Sequence, residues 1–266
     1  MIGGFQNMLN ENHGKYEAAA NSATPALIIY LIDVSRSMEI LIGGKPRVDV
    51  VSDGLYAARD KMLAVSNKGT YIANRYRIAY ILYSEKAIWI KDKVFTIAEI
   101  GLSGVPPLDL RAETDTYLAF IQARNILKAE LPNIRRHPAP LVCHITDGKF
   151  TGRDPIPVAE EIMSMKVNDG NVLIQNIFIS DNLFSNPIPD IKRWKGITKQ
   201  TKFTNQYAET LRSISSPLPD SYREIANAVG YNLERGSLMM FPGISIELIK
   251  LGFVVATSTP RTTIEK

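Results

Sequence analysis

The sequence predicts an α/β fold: a doubly wound, mostly parallel six-stranded sheet with one antiparallel edge strand and helices on both faces. The first observation behind this prediction is that short apolar runs alternate with segments whose apolar residues recur at helical spacing, as in strands joined by crossover helices. The second is size. The chain has 266 residues, of which 45% are hydrophobic and 22% charged, enough for one large domain with a substantial core.

The elements follow in chain order from apolar runs and from helical spacing. The first strand is the run ALIIYLID at 26–33, and the first helix spans 49–65 with Gly69 just beyond its end, since glycine commonly follows the last turn of a helix. Further strands are predicted at 77–84, 87–92, 140–148, 172–180 and 237–241. Further helices are predicted at 116–131, 156–167, 206–214, 220–229 and 245–257.

Two short connections add detail. Only Glu85 and Lys86 separate the second strand from the third, and so short a link cannot contain a crossover helix. These two strands are therefore predicted to be antiparallel neighbours. Gly43, Gly44 and Lys45 resemble part of a phosphate-binding loop but lack the rest of that motif, so we predict a turn before the first helix.

The chain is predicted to form one domain at 25–258, with an N-terminal extension at 1–24, a C-terminal tail at 259–266 and an irregular basic insertion at about 181–205. No apolar run approaches the roughly 18 to 20 residues of a membrane span, and the first residues do not resemble a signal peptide. We therefore expect a soluble, cytoplasmic protein without a membrane partner. The single cysteine, Cys143, lies in an apolar run, which predicts a buried hydrophobic side chain.

Oxygen-bearing side chains occur at three places where a predicted strand ends or a helix begins. They are Asp33, Ser35 and Ser37 in DVSRS, Thr114 or Thr116 in AETDTYLA, and Asp147 in HITDG. In open α/β sheets, ligands bind outside the carboxyl ends of the strands. If the backbone stays extended beyond the first strand, the three oxygen-bearing residues of DVSRS project to one side.

The chemistry of these residues suits a hard divalent cation. Mg²⁺ takes about six oxygen ligands, and small hydroxyls with a few carboxylates supply them. The sequence therefore predicts a Mg²⁺ site, which Mn²⁺ or Ca²⁺ could also occupy.

On these three motifs the chain resembles a von Willebrand factor type A domain with a metal-ion-dependent adhesion site, over roughly Pro25 to Ser258. The resemblance implies a Rossmann-like fold. It also implies the ligand set: the hydroxyls of Ser35, Ser37 and Thr114 contact the metal directly or nearly so. Asp33 and Asp147 act directly or through water.

The second motif departs from the family pattern, because Ala112 and Glu113 stand where the family often has glycines. This departure leaves both Thr114 and Thr116 open as the ligand. Ala119 lies five residues after Thr114, where the family pattern has its alanine, and therefore favours Thr114.

Within this family the chain is most similar to bacterial cytoplasmic proteins associated with tellurite resistance, through VSRSM, ITDG and a tail containing SSPLP. The resemblance implies a Mg²⁺-dependent protein–protein interaction module in a bacterial signalling, stress-response or defence system. Its metal would bind a partner's carboxylate, and a kinase, phosphatase or ATPase of the same system is the expected partner. No catalytic residue is assigned.

Two alternatives remain open. A bound Mg²⁺ can also position a phosphate, as in a phosphohydrolase or nucleotide-binding enzyme. The chain lacks the usual phosphate-loop, nucleophile-elbow and zinc-protease motifs, and His144, in mid-strand, is predicted to be a core histidine rather than a base.

The second alternative concerns the basic stretch KRWKGITKQTK, with Lys192, Arg193, Trp194 and Lys195 as candidate contacts to an anion, a nucleic acid or an acidic partner. A solvated surface insertion explains this stretch equally well. The net charge of +4 is mild, so nucleic-acid binding is not expected.

Overall fold

The computed structural model describes residues 15–111, 115–148, 152–180 and 183–258. Its strands are β1 (Ala26–Asp33), β2 (Leu41–Ile42), β3 (Lys45–Pro46), β4 (Tyr76–Tyr83), β5 (Ala87–Trp89), β6 (Phe95–Thr96), β7 (Leu141–Thr146), β8 (Leu173–Phe178) and β9 (Met240–Pro242). The main sheet has the order β5-β4-β1-β7-β8-β9, and β6 also pairs with β4. The six predicted strands are thus the six along this path.

The sheet is parallel except at one edge. β4, β1, β7, β8 and β9 are parallel to their neighbours, whereas β5 and β6 are both antiparallel to β4. The antiparallel edge predicted from the short link Glu85-Lys86 is confirmed. The chain builds one side of the sheet outward from β1 and then the other side from β7, so the predicted doubly wound fold is also confirmed.

Helices cover both faces of the sheet. They are α1 (Arg47–Ser66), α2 (Ile97–Ser103), α3 (Thr116–Glu130), α4 (Ile156–Ser164), α5 (Gln206–Ser213), α6 (Asp220–Ala228) and α7 (Ile246–Ala256). The even-numbered residues of β1 pack with α1, α2, α6 and α7, and the odd-numbered ones pack with α3, α4 and α5, as expected for a strand buried on both faces. Within the described ranges, no helix has the length and apolar character needed to span a membrane.

Among the helices and strands above, α2, β6 and the two strands of the β2–β3 hairpin were not predicted from the sequence. The helix α2 begins at a capping box, in which Glu99 N–H donates to Thr96 Oγ1 and Thr96 N–H donates to the Glu99 carboxylate, an arrangement that satisfies free backbone groups at a helix start. The β2–β3 hairpin turns at Gly43 and Gly44, whose φ values are 57° and 82°. Both angles suit glycine in a two-residue hairpin, so the turn predicted before the first helix is confirmed.

The predicted strand at 87–92 is shorter in the structure and ends at Trp89. Lys91 and Asp92 have φ values of 56° and 46°, which lie outside the extended region, so the chain turns there. Ile90 continues the apolar run beyond Trp89, so the run itself does not mark where the strand ends.

The described part of the N-terminal extension, 15–24, packs on the loop before β8. Tyr16 N–H donates to the Asp169 carbonyl oxygen at 3.0 Å, and the N–H groups of Glu17 and Ala18 donate to Asp169 Oδ1, both at 2.9 Å. Ala20 is buried in the core beneath α1. This segment is therefore held by the domain.

Candidate metal centre

The three predicted motifs belong to the carboxyl edge of the sheet. β1 and β7 are neighbours, yet the chain leaves β1 toward β4 and leaves β7 toward β8, so the connections diverge between them. This divergence is the topological switch point, where open α/β sheets leave a crevice for ligands. Asp33 ends β1 and Asp147 directly follows β7, and the two carboxylates therefore flank this crevice.

The loop after β1 is anchored by buried apolar residues and presents its hydroxyls. Val34 and Met38 are buried in the core beside α1, whereas Arg36 between them is exposed. Ser35 N–H donates to Asp33 Oδ1 at 2.9 Å, and Ser35 Oγ lies 3.0 Å from Ser37 Oγ. Asp33, Ser35 and Ser37 are thus brought together as predicted.

The mechanism that brings them together differs from the one predicted. The backbone is extended at Ser35 but enters a short 3₁₀ turn at Arg36–Glu39, so simple strand alternation ends before Ser37. The turn folds Ser37 back toward Ser35. The condition that the DVSRS backbone stays extended is therefore met only as far as Ser35.

Thr146 links the first motif to the third. Its hydroxyl donates to Asp33 Oδ2 at 2.9 Å and accepts from Gly148 N–H at 2.9 Å. Gly148 has a φ of 93°, and a Cβ there would lie 2.0 Å from the ring of Phe178. Glycine is therefore required after Asp147 both by the backbone angle and by space.

The Asp147 carboxylate is buried, and only one of its two oxygens has a hydrogen-bond partner among the described residues. Its Oδ2 lies 3.2 Å from Nη1 of Arg47, with the two side chains 3% and 9% exposed. Its Oδ1 is buried and has no hydrogen-bond partner among the described residues. A buried carboxylate oxygen without a donor is costly, so this atom is a point where a cation or a water molecule would stabilise the site.

The second motif is described only in part. Thr114, the predicted ligand, lies outside the described residues, and its role stays a prediction. Thr116 is the first residue of α3 and is buried, and its Oγ1 has no hydrogen-bond partner among the described residues. Ser84 follows β4, and its Oγ is likewise buried without a hydrogen-bond partner among the described residues. Asp115 N–H donates to the Ser84 carbonyl oxygen. Thr116 and Ser84 therefore add hydroxyl oxygens to this edge.

Burial and like charge act together on Asp33. Removal from solvent first, and then the nearby Asp147 carboxylate, raise the pKa of Asp33 to about 6 from an ordinary value of 3.8. Hydrogen bonds from Ser35 and Thr146 oppose the rise. Two carboxylates held close together in a buried site favour a cation between or beside them.

The donor set fits a hard divalent cation. It combines two carboxylates, Asp33 and Asp147, with neutral hydroxyls, and it includes the orphaned Asp147 Oδ1. Within the described residues, no group of three or more His, Cys, Asp or Glu side chains is arranged to hold a metal ion. Any metal at this edge would therefore depend on hydroxyl oxygens, as Mg²⁺ and Mn²⁺ sites can.

His144 and Cys143 lie beneath the site as core residues, which confirms both predictions. Cys143 is buried. His144 Nδ1 must donate to Asn176 Oδ1 at 2.8 Å, so Nε2 is left to accept from the Tyr83 hydroxyl at 2.6 Å. Burial lowers the pKa of His144 to about 4, and the neutral ring is held between two partners.

The basic stretch borders a surface groove of about 810 Å³, whose lining includes Arg193, Trp194 and Lys195. The first three charged side chains of the basic stretch each have an acidic neighbour. Lys192 Nζ lies 3.3 Å from Glu247, Arg193 Nε lies 3.5 Å from Asp190, and Lys195 Nζ lies 3.5 Å from Glu234. These pairs reduce the positive charge offered to an anion. A role of this groove in binding stays a prediction.

Two site residues were missed from the sequence, Thr146 and Arg47. Thr146 adjoins the predicted Asp147, and its position at the end of a buried strand could have indicated it. Arg47 is the first residue of α1, where the helix dipole disfavours a positive charge. A basic residue at that position is itself a signal that a nearby carboxylate holds it.

The sequence matches no family model and no curated protein sequence. Solved structures do match. The proximal thread matrix protein 1 of the mussel byssus has 16% identity and a TM-score of 0.53, over 89% of this chain and 49% of its own length. The pilus adhesin SpaC of Lactobacillus rhamnosus GG has 11% identity and a TM-score of 0.54, over 90% of this chain and 31% of its own. A von Willebrand factor type A protein of Catenulispora acidiphila has 14% identity and a TM-score of 0.40, over 63% of this chain and 39% of its own length.

These likenesses concern the fold alone, because all three identities are low. The likenesses to the mussel protein and the pilus adhesin, whose TM-scores exceed 0.5, show that this chain shares an overall fold with them. It spans less than half of the length of each of these three proteins.

Proposed function

We propose that this chain is a Mg²⁺-dependent protein–protein interaction module that binds a carboxylate of its partner through the metal. The observation that carries the proposal is the convergence of Asp33, Ser35, Ser37 and Asp147 at the topological switch point, with Asp147 Oδ1 buried and unpartnered among the described residues. These residues, with Thr114 as the expected additional ligand, would hold the ion. The ion would supply a positive centre that attracts an anionic group.

The balance of donors favours binding over catalysis. Hydroxyls are neutral, so they leave most of the ion's charge available to a carboxylate from outside. The Asp33 carboxylate accepts hydrogen bonds from Ser35 and Thr146, which orient it as a fixed ligand. His144 is buried and bonded at both ring nitrogens, so it does not serve as a general base at the surface.

The wider role is proposed from the resemblance of the motifs to bacterial cytoplasmic domains of this fold. We assign the chain to a bacterial signalling, stress-response or defence system, with a kinase, phosphatase or ATPase of that system as its partner. The structural likeness to a pilus adhesin supports an interaction role in general terms, since adhesion is also binding to another molecule.

Metal binding is the first test. Mn²⁺ binding, followed by the loss of the free-ion electron paramagnetic resonance signal and by calorimetry, should be at least tenfold weaker in Asp33→Asn and Ser35→Ala than in the native chain. Ser164→Ala is the matched control, because Ser164 is exposed at the end of α4. Equal affinity in all four proteins would overturn the metal site.

Partner capture is the second test. Candidate partners should bind the native chain in Mg²⁺ and be released by EDTA, and Ser35→Ala should not capture them. Capture that ignores both the chelator and the substitution would show that the interface lies elsewhere. Turnover of nucleotides or phosphoesters that Asp33→Asn abolishes would replace the proposal with an enzyme.

A further inference from the structure

Arg47 carries a positive charge at the helix end that favours a negative one. It is the first residue of α1, where unpaired N–H groups and the helix dipole already concentrate positive charge. Its side chain is nevertheless buried, with only 9% of its surface exposed. A buried guanidinium at a helix N-terminus needs a specific anionic partner to offset its desolvation.

Among the described residues, Asp147 of the third motif is an anionic partner of Arg47. Arg47 Nη1 donates to Asp147 Oδ2 at 3.2 Å, although 100 residues separate the two in the chain. The guanidinium therefore touches a carboxylate of the candidate metal centre rather than a distant surface group. Arg47 N–H donates to the Ile40 carbonyl oxygen, which fixes the start of α1 to the loop that carries Ser35 and Ser37.

The guanidinium changes the charge of the centre. Asp33 and Asp147 supply two negative charges, and Arg47 neutralises one of them before any metal arrives. A divalent cation that binds these carboxylates must therefore do so beside a positive charge that is already present.

We propose that Arg47 is the resident counter-ion of this centre: it holds Asp147 when no metal is bound, and its positive charge weakens metal binding. This inference rests on the proposed function, because it concerns the same metal centre.

The test compares Arg47→Gln and Arg47→Lys with the native chain, using Mn²⁺ alone as the probe. Arg47→Gln removes the positive charge and should bind Mn²⁺ at least tenfold more tightly. Arg47→Lys keeps the charge and should bind it within about threefold of the native chain, since the Coulomb interaction is retained. Weaker or unchanged binding in Arg47→Gln would reduce Arg47 to a structural role and overturn the inference.

Stability without metal is the second measurement. In EDTA, Arg47→Gln should unfold more easily than the native chain, because Asp147 is left as an uncompensated buried charge. The double variant Arg47→Gln/Asp147→Asn removes both charges and should regain stability. If the double variant is as unstable as Arg47→Gln, the arginine acts by packing and the inference fails.

The outcomes also separate the inference from the proposed function. If the native chain and Arg47→Gln bind Mn²⁺ equally, and Asp33→Asn does not bind it, the metal centre stands and only the inference falls. If none of the three proteins binds Mn²⁺, the metal centre and the inference fall together. If Arg47→Gln folds only when Mn²⁺ is added, the metal ion can take the place of the Arg47 guanidinium beside Asp147, and the inference is supported directly.

Discussion

At the scale of single residues, Asp33 is a carboxylate that the fold holds away from water in the candidate centre. It is fully buried, and its two oxygens accept hydrogen bonds from Ser35 N–H and the Thr146 hydroxyl. Burial first, and then the Asp147 carboxylate, raise the pKa of Asp33 to about 6 from an ordinary value of 3.8. The fold keeps a poorly solvated carboxylate here, which is characteristic of residues retained for function.

This pKa predicts a pH dependence of stability in EDTA. Because the folded-state pKa lies above the unfolded one, the folded chain binds more protons between about pH 4 and pH 6, and stability falls as the pH rises through that window. Asp33→Asn should therefore gain stability relative to the native chain from pH 4 to pH 7, by no more than about 3 kcal/mol. Denaturant unfolding at several pH values measures this difference.

The control for this prediction is Asp60→Asn, an exposed carboxylate on α1. Its difference from the native chain is measured over the same pH range for comparison. A difference for Asp33→Asn that does not change with pH would contradict the prediction.

At the scale of elements, close contact between α1 and α7 shapes one face of the sheet. Gly54 lies in the middle of α1, and a Cβ at this position would lie 2.2 Å from the ring of Phe253 on α7. Phe253 is buried and its ring lies 6.4 Å from that of Tyr30 on β1. Glycine therefore lets two helices and a central strand approach one another.

Gly54→Ala is expected to destabilise the chain although alanine is the better helix former. Overpacking should cost about 1–3 kcal/mol, more than the gain of about 1 kcal/mol in helix propensity. Phe253→Leu in the same chain should restore part of the loss by removing the ring. Chemical denaturation of the single and double variants measures both effects.

The matched control is Ala57→Gly, at an exposed position on α1. It should cost about 1 kcal/mol through propensity alone. A stabilising Gly54→Ala would show that the Phe253 ring moves aside without loss.

The elements that the sequence predicted are the ones with long periodic signals. β1 and α3 were located to within a residue or two, because an eight-residue apolar run and a regular amphipathic pattern are strong indications. α2 was missed because it is seven residues long and adjoins a loop rich in proline and glycine, although Thr96 and Glu99 form the capping signature in the sequence. Positive φ values at Lys91 and Asp92 depend on tertiary context and left no pattern to find.

At the scale of the whole molecule, the motifs predicted which residues converge but not the contacts between them. Asp33 and Asp147 could be placed at one edge because parallel strands end together. The donation of Thr146 to Asp33 and the pairing of Arg47 with Asp147 depend on side-chain directions, which spacing along the chain does not give. Ser37 joins the site through a 3₁₀ turn rather than by alternation.

The insertion around 181–205 also has a structural role that its composition did not indicate. Leu238 lies just before β9, and its N–H donates to the Ile197 carbonyl oxygen at 2.7 Å. Ser237 Oγ donates to the Lys195 carbonyl oxygen at 2.8 Å. The insertion therefore covers the approach to the outer strand of the sheet, an edge that would otherwise offer unpaired backbone groups to another chain.

Ile197→Ala tests this role. Ile197 is fully buried with the core beneath α5, so truncation should lower the free energy of unfolding by about 2–5 kcal/mol. It should also loosen the cover over the β9 edge and increase self-association, measured by sedimentation at rising protein concentration. Lys199→Ala, at an exposed position in the same insertion, should leave stability within about 0.5 kcal/mol and the sedimentation unchanged. If the two variants behave alike, the insertion is a surface loop without a part in protecting the sheet.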